Sequence, residues 1–351
     1  MAGAAAAVEA GAYEEMLRVV EACAARIRWR LRPGSKRRLL NDILFLCTGL
    51  RSVVLMDYGG TMPQLQENLC SLLFHARQES SILKPLKVMV IKDMLYLIHV
   101  KGLAEHVSPN ARSQHQLAFV DLEKSCCKVF TFSDPPFYIS VCCMVNVFCF
   151  ILLKVVLVQL LSNMEENENV LELVSIQDLF STKFPVDAAV NLPVVQPVIT
   201  NQKSDFPGRT TDVECIDIHV ADRTLLVDLS AYLETTQIAL PTLNGWLLGY
   251  PVTYLFSNGS AEAATQNLSK HSLHIYRVFV CRSCQSGAKQ SEEELMSFSV
   301  PCEMSMKCGE EPWARLFIAR MNEKLKQCNQ VWASMRLEIE IFQSQSQVIV
   351  L

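Results

Sequence analysis

The sequence predicts an α+β or mixed α/β fold in which one mixed β-sheet is flanked by helices. Short apolar runs rich in β-branched residues and bounded by turn residues indicate strands, and longer segments with apolar residues at helical spacing indicate helices. The two kinds of segment alternate irregularly, which fits a mixed sheet better than a strict strand–helix–strand repeat. A chain of 351 residues is long enough to form one large domain with a buried core.

The predicted elements run along the whole chain. The Ala-rich residues 1–12 are expected to form a disordered tail. Next come helices over 13–32 and 36–47, a strand over 53–56, a helix beginning near Pro63, and strands over 87–91, 94–100 and 117–122. They are followed by a helix over 160–180, strands over 215–220, 224–229, 252–256, 275–281 and 295–300, a helix over 310–328, and strands over 337–342 and 348–351. A single domain over 13–128 and 160–351 accounts for these elements.

Composition and charge exclude some classes of partner. Lys and Arg together number 32, against 36 Asp and Glu, so the net charge does not indicate a nucleic-acid partner. The short basic cluster Lys36-Arg37-Arg38 is interpreted as a solvated helix start. Fourteen cysteines scattered over a long chain, with no recognisable signal peptide, indicate reduced thiols. We therefore expect a soluble protein in the cytoplasm or nucleus.

Residues 129–159 form an apolar insertion that looks foreign to the surrounding domain. Its core, 137–158, would reach roughly 33 Å as a helix, which is enough to cross a bilayer and make a single-pass membrane protein. Such a span would, however, divide the domain and leave open sheet edges on both sides of the membrane. A retained intron is favoured instead, because the codons of Val129 begin with GT, a codon of Gln159 is CAG, and a U-rich intron encodes apolar residues. An ordinary buried element is the third alternative.

Four short strings carry a resemblance to a known family. They are LMDYGG at 55–60, LLGYPVTY at 247–254, RVF at 277–279 and SFSVP at 297–301. In this order they resemble the vertebrate chromosome 1 open reading frame 74 family, whose members carry a domain of unknown function. The resemblance covers most of the chain from about Lys36 onward. It implies no activity, cofactor or partner.

Asp57 is the first candidate site residue. It follows a predicted strand and precedes Gly59, Gly60 and Thr61, which lie before a predicted helix. A carboxylate at a strand end, beside the backbone N–H groups of a helix N-terminus, suits a phosphate or a metal-bound substrate. The glycines fit neither the Walker spacing nor the dinucleotide-binding pattern. A turn or capping role for Asp57 is therefore the simpler interpretation.

Asp121 and Asp228 are further candidates because they also lie near predicted strand ends. Three acids brought together at such ends would make a hydrolase or phosphate-handling site conceivable. Tyr250 and Trp246 could line a pocket, although core packing is the simpler interpretation of both.

Cys281 and Cys284 have the spacing of two zinc-binding thiolates. Residues that could complete such a site are His271, His274, Cys302 and Cys308. A second Cys-x-x-Cys pair is absent from the sequence, and Cys281 also continues an apolar strand. Structural thiols are the favoured interpretation, so neither a metal nor another cofactor is predicted.

The sequence favours a non-enzymatic role exerted by binding an unidentified protein partner. The seven histidines accompany no recognisable nucleophile motif, so no catalytic triad can be assigned. A small-molecule or phosphate-handling enzyme with Asp57 in its site is the alternative. A membrane partner is expected only if 137–158 is a genuine span.

Overall fold

The computed structural model describes residues 2–108, 118–123, 128–131, 168–186, 225–283 and 292–342. These residues fold as an α+β protein, which confirms the predicted class. The described helices are α1 (Ala2–Arg26), α2 (Pro33–Cys47), α3 (Gln64–Glu79), α4 (Val100–Val107), α5 (Glu168–Lys183), α6 (Leu240–Leu247), α7 (Ala261–Ser269) and α8 (Pro312–Gln327). The described strands are β1 (Val53–Leu55), β2 (Leu86–Ile91), β3 (Met94–His99), β4 (Ala118–Asp121), β5 (Lys128–Thr131), β6 (Leu226–Asp228), β7 (Val252–Leu255), β8 (Leu273–Arg282), β9 (Glu292–Pro301) and β10 (Trp332–Phe342).

The described strands form three sheets, whereas the sequence predicts a single mixed sheet. The first sheet has the order β1-β3-β2-β6, the second β5-β4-β7 and the third β10-β8-β9. The first two are mixed, because β6 runs parallel to β2 and β7 runs parallel to β4. The third is antiparallel throughout. It is separate because β8 pairs with a long neighbour along each of its edges, so these strands satisfy one another's backbone groups.

The first sheet is buried on both faces. Successive side chains of a strand point to opposite faces, so Val88 and Leu97 belong to one core while Met89 and Tyr96 belong to another. Helices α1, α2 and α3 contribute to the first core, and α4, α5 and α6 contribute to the second. Burial on both faces explains why β2 and β3 read as nearly continuous apolar runs.

The third sheet extends the first core through aromatic side chains. Phe298 of β9 stacks on Tyr276 of β8 with ring centroids 5.3 Å apart, and Phe317 of α8 meets Phe298 edge-on at 5.5 Å. These residues belong to the same core as α1, α2 and α3. As a result, β9 lies beside α2, and the space between them forms the site described below.

The N-terminus differs from the prediction. Residues 2–12, which the sequence predicts as a disordered tail, continue the helix α1, because alanine has the highest helix propensity and extending a formed helix is easy. The helix ends at Arg26, before the predicted end at residue 32. Arg28 then adopts a left-handed φ of 59°, which directs the buried Trp29 back toward the core.

The apolar insertion lies mostly outside the described residues. Its first three residues, 129–131, belong to β5, which pairs antiparallel with β4. The candidate span 137–158 is outside the described ranges, as are the predicted strands over 215–220 and 348–351. Among the helices that the structure describes, none is both long and apolar enough to cross a membrane.

Candidate ligand cleft at the end of the first strand

The loop after β1 places Asp57 at the mouth of a cleft. Gly59 in this loop has a φ of 89°, and a Cβ atom there would lie 3.1 Å from both Trp29 and Leu31. The indole Nε1 of Trp29 donates a hydrogen bond of 2.9 Å to the Gly59 carbonyl. Glycine is required here because both the left-handed backbone and the close approach exclude a side chain. Gly59 therefore fixes the direction in which Asp57 leaves the strand.

The polar cleft lies between α2, the end of β1 and β9, and its volume is about 550 Å³. Most of its lining is charged or polar. It comprises Gly34, Arg37, Arg38, Asn41, Asp42, Phe45, Arg51, Asp57, Tyr250, Glu293, Glu294, Leu295, Met296 and Ser297. Three arginines therefore share one recess with four acids.

One group of cleft residues surrounds the buried carboxyl group of Asp42. The hydroxyl of Tyr58 donates a hydrogen bond of 2.6 Å to Asp42 Oδ2. Arg38 lies over the Tyr58 ring, 4.4 Å from its centroid, and its Nη2 is 2.7 Å from Asp57 Oδ1. Burial raises the pKa of Asp42, although the Tyr58 hydrogen bond and the nearby arginines lower it in part. The Arg38–Asp57 pair is about half exposed on both sides, so a ligand can reach it.

A second group ties α2 to β9 and forms a wall of the cleft. Arg37 donates two hydrogen bonds to Glu293, from Nε at 3.2 Å and from Nη2 at 2.5 Å. Asn41 Nδ2 donates a further hydrogen bond of 2.7 Å to Glu293 Oε2. A two-pronged arginine–carboxylate contact is both directional and strong, so this wall is fixed by its own side chains.

Arg51 is the cleft cation without an acidic partner among the residues that the structure describes. Its Nη1 donates a hydrogen bond of 3.2 Å to the Leu295 carbonyl. Its Nε is shielded from solvent and has no hydrogen-bond partner in the described part of the chain. Burial lowers the pKa of Arg51, because a guanidinium loses hydration when it leaves water, while Asp42 acts in the opposite direction. Arg51 also lines a smaller cavity that adjoins the cleft.

Comparison with family models identifies the chain. The model described as Domain of unknown function (DUF4504) matches residues 21–135 and 139–349. The chain belongs to this family. No curated protein and no solved structure matches it. The break in the match covers only residues 136–138, so most of the predicted insertion over 129–159 lies within the matched ranges.

The other two candidate acids of this DUF4504 domain do not join Asp57. Asp121 is buried at the end of β4, where its Oδ1 accepts a hydrogen bond of 3.0 Å from the Glu123 backbone. Asp228 is exposed at the end of β6 and accepts one of 2.8 Å from Ser230 N. β1 and β6 are the two edges of one sheet, so Asp57 and Asp228 are separated by roughly 14 Å across the strands. Asp121 and Asp228 each end their own strand in a local turn, whereas Asp57 pairs with Arg38.

The remaining candidate residues have separate environments. Of Gly59, Gly60 and Thr61, none lines the polar cleft. Cys281 is a partly buried residue of β8, and Cys284 lies outside the described residues. No group of three potential metal ligands occurs within the described ranges.

The aromatic candidates divide between the core and the cleft of the DUF4504 domain. Trp246 is buried in the second core, where it meets Phe180 edge-on with ring centroids 5.3 Å apart. Tyr250 lines the polar cleft, and burial raises its pKa.

Sequence reasoning missed most of the cleft. Arg37 and Arg38 are exposed near the start of α2, as the sequence predicts, but they also line the cleft and form ion pairs. Asp42 and Arg51 carry no sequence signal that separates them from ordinary polar residues. The place of Arg51 in the cleft depends on β9, which lies more than 200 residues further along the chain.

Proposed function

We propose that this protein binds a small acidic molecule in the polar cleft, with Arg51 receiving its acidic group. The observation that carries the proposal is the Arg51 guanidinium, which has a shielded Nε without a hydrogen-bond partner and no ion pair to any described residue. A buried cation is costly to leave unpaired. An anionic ligand group removes that cost, and the planar guanidinium suits the oxygens of carboxylates and phosphates.

The cleft supports the small-molecule alternative over the protein-partner role that the sequence favours. It is concave, its volume of about 550 Å³ lies within the usual range for small-molecule sites, and its polar groups converge. The half-exposed Arg38–Asp57 pair at the mouth offers one donor and one acceptor to the rest of a ligand. We therefore expect Arg38 and Asp57 to orient the ligand and Arg51 to supply most of the affinity.

We also place the chain with the chromosome 1 open reading frame 74 branch of its family. Three of the strings that carry this resemblance contribute to the polar cleft, through Asp57, Tyr250 and Ser297. The same residues thus support both the placement and the choice of site.

Titration of the purified full chain with a panel of small carboxylates and phosphate monoesters tests the proposal. Isothermal calorimetry should find a binder that Arg51→Met weakens by roughly tenfold or more. Arg51→Lys retains the positive charge but lacks the planar guanidinium that can donate two parallel hydrogen bonds. Its affinity for the ligand should therefore be intermediate. Arg30→Met removes an exposed arginine and serves as the matched control. A panel without any binder, or a binder indifferent to Arg51→Met, would contradict the proposal.

A further inference from the structure

A second, smaller cavity adjoins the polar cleft, and we call it the inner cavity. Its volume is about 70 Å³. Its lining comes from the α2–β1 connection, α4, the end of α6, β9 and α8, and comprises Leu50, Arg51, Ser52, His106, Leu247, Leu248, Gly249, Met296, Phe317, Arg320, Met321 and Lys324. Arg51 and Met296 line both the inner cavity and the polar cleft.

Three cationic side chains converge on the inner cavity, and none has an acidic partner within the described ranges. Arg51, Arg320 and Lys324 are partly buried, and none of them forms an ion pair with a described residue. Like Arg51, Arg320 has a shielded Nε without a hydrogen-bond partner in the described part of the chain. Lys324 Nζ donates a long hydrogen bond of 3.4 Å to the Leu50 carbonyl. Three like charges are thus held together around a space that no carboxylate lines in the part of the chain that the structure describes.

The charges act on one another. Burial, together with the charges of Arg320 and Arg51, lowers the pKa of Lys324 to about 8. Burial also lowers the pKa of Arg320. The acid that acts on Lys324 is Glu105, which is exposed on α4 and lies 3.9 Å from Lys101. Repulsion within the cluster is therefore not balanced inside the cavity.

His106 closes the cavity as a neutral ring. Its Nε2 lies 3.0 Å from the Trp246 carbonyl and donates to that oxygen. Burial lowers the pKa of His106 to about 4, and the charges of Lys324 and Arg320 act in the same direction. The histidine therefore adds a rigid wall but no fourth charge at neutral pH.

We propose that the inner cavity binds a tetrahedral oxyanion, either as free phosphate or sulfate or as the phosphoryl group of a ligand that occupies the polar cleft. The volume of about 70 Å³ corresponds to roughly two water molecules at about 30 Å³ each, so the cavity suits a small, compact group such as a tetrahedral oxyanion. Arg51 and Arg320 supply planar forks for its oxygens, and Lys324 supplies a point charge. This inference deepens the proposed function by naming the acidic group that Arg51 receives.

Titration of the full chain with inorganic phosphate and with sulfate tests the inner cavity directly. In a buffer free of both ions, calorimetry should detect phosphate binding to the unmodified protein. Arg320→Met and Lys324→Met should each weaken it by roughly tenfold or more. Arg315→Met is the matched control, because Arg315 lies on the same helix but is exposed, and it should leave phosphate affinity within about twofold. Thermal unfolding of each variant confirms that it is folded.

The outcomes separate this inference from the proposed function. Arg38→Gln alters the polar cleft alone, so phosphate affinity should not change, whereas affinity for an organic phosphate should fall. Phosphate binding that depends on Arg320 and Lys324, without any organic binder in the panel, supports the inner cavity and contradicts the proposed cleft ligand. Conversely, an organic acid that needs Arg51, with no phosphate or sulfate binding at millimolar concentration, overturns the inner-cavity assignment. Phosphate binding that survives both Arg320→Met and Lys324→Met overturns it too.

Discussion

Replacing Lys324 with methionine should stabilise the fold at neutral pH even though it removes a hydrogen bond. The pKa of Lys324 is about 8 in the folded chain, compared with an ordinary value of 10.5. That difference corresponds to roughly 3 kcal/mol of unfavourable free energy for the charged form, at about 1.4 kcal/mol for each pH unit. Partial exposure reduces this figure, and the lost 3.4 Å hydrogen bond to Leu50 offsets about 0.5–1 kcal/mol more. We expect a net gain of about 1–2 kcal/mol in the free energy of unfolding.

The stability gain of Lys324→Met over the unmodified protein should shrink as pH rises. Between about pH 8 and pH 10.5 the folded chain has released the Lys324 proton and the unfolded chain still holds it. The unfolded state then binds more protons, so the stability of the unmodified protein increases with pH in this window. His106, whose pKa burial lowers to about 4, stays neutral throughout this window. The Lys324→Met variant has no proton to release at this position, so the free energies of unfolding of the two proteins converge as pH rises.

Urea unfolding at pH 7 and pH 9.5 measures this difference. The stability advantage of Lys324→Met should be larger at pH 7, and phosphate should stabilise the unmodified protein more than the variant. Lys326→Met, on the same helix and exposed, should change the free energy by less than about 0.5 kcal/mol. An Lys324→Met protein that is less stable at both pH values, or equally stabilised at both, would refute the argument that Lys324 is a buried, repelled cation.

Three further predictions concern the cleft and the insertion. Tyr58→Phe removes the 2.6 Å hydrogen bond to the buried Asp42 and should cost about 1.5–3 kcal/mol in urea unfolding; an unchanged midpoint would exclude that bond. Gly59→Ala should destabilise the fold by about 1–3 kcal/mol. Gly34 lies in a helix with open space around it, so Gly34→Ala should stabilise the fold by about 0.5–1 kcal/mol. Equal effects of the two substitutions would contradict the requirement for glycine at position 59. Transcripts sequenced across the codons for 129–159 should lack them in the main product if the segment is a retained intron, and their presence in every transcript would reject that hypothesis.

The local elements of this fold were predictable where periodicity and turn chemistry agree. The β2–β3 hairpin followed from two apolar runs around Lys92-Asp93, and the structure gives Lys92 the left-handed φ of 53° that such a turn needs. The strand ending before Asp57 and the helix α2 followed in the same way. These features depend on residues that are close in sequence.

The sheets and the site were not predictable, because they depend on pairing between distant segments. β7 joins β4 in parallel across more than 120 residues, and Arg37 meets Glu293 across 256. Periodicity indicates which face of an element is buried but not which other element covers it. Arg320 and Lys324 illustrate this limit, since on an amphipathic helix they look like ordinary surface cations until Arg51 is placed beside them.

The inner cavity explains why an unfavourable charge arrangement can persist in a marginally stable fold. Without a ligand, Arg51, Arg320 and Lys324 repel one another, and the Lys324 charge alone opposes folding by up to roughly 3 kcal/mol. A ligand present at about 100 times its dissociation constant stabilises the folded state by about 2.7 kcal/mol, which is of the same size. The occupied protein would thus recover the stability that the empty one lacks. Substitutions that relieve the repulsion should therefore raise stability and weaken phosphate binding together, which is the combination expected of a functional site.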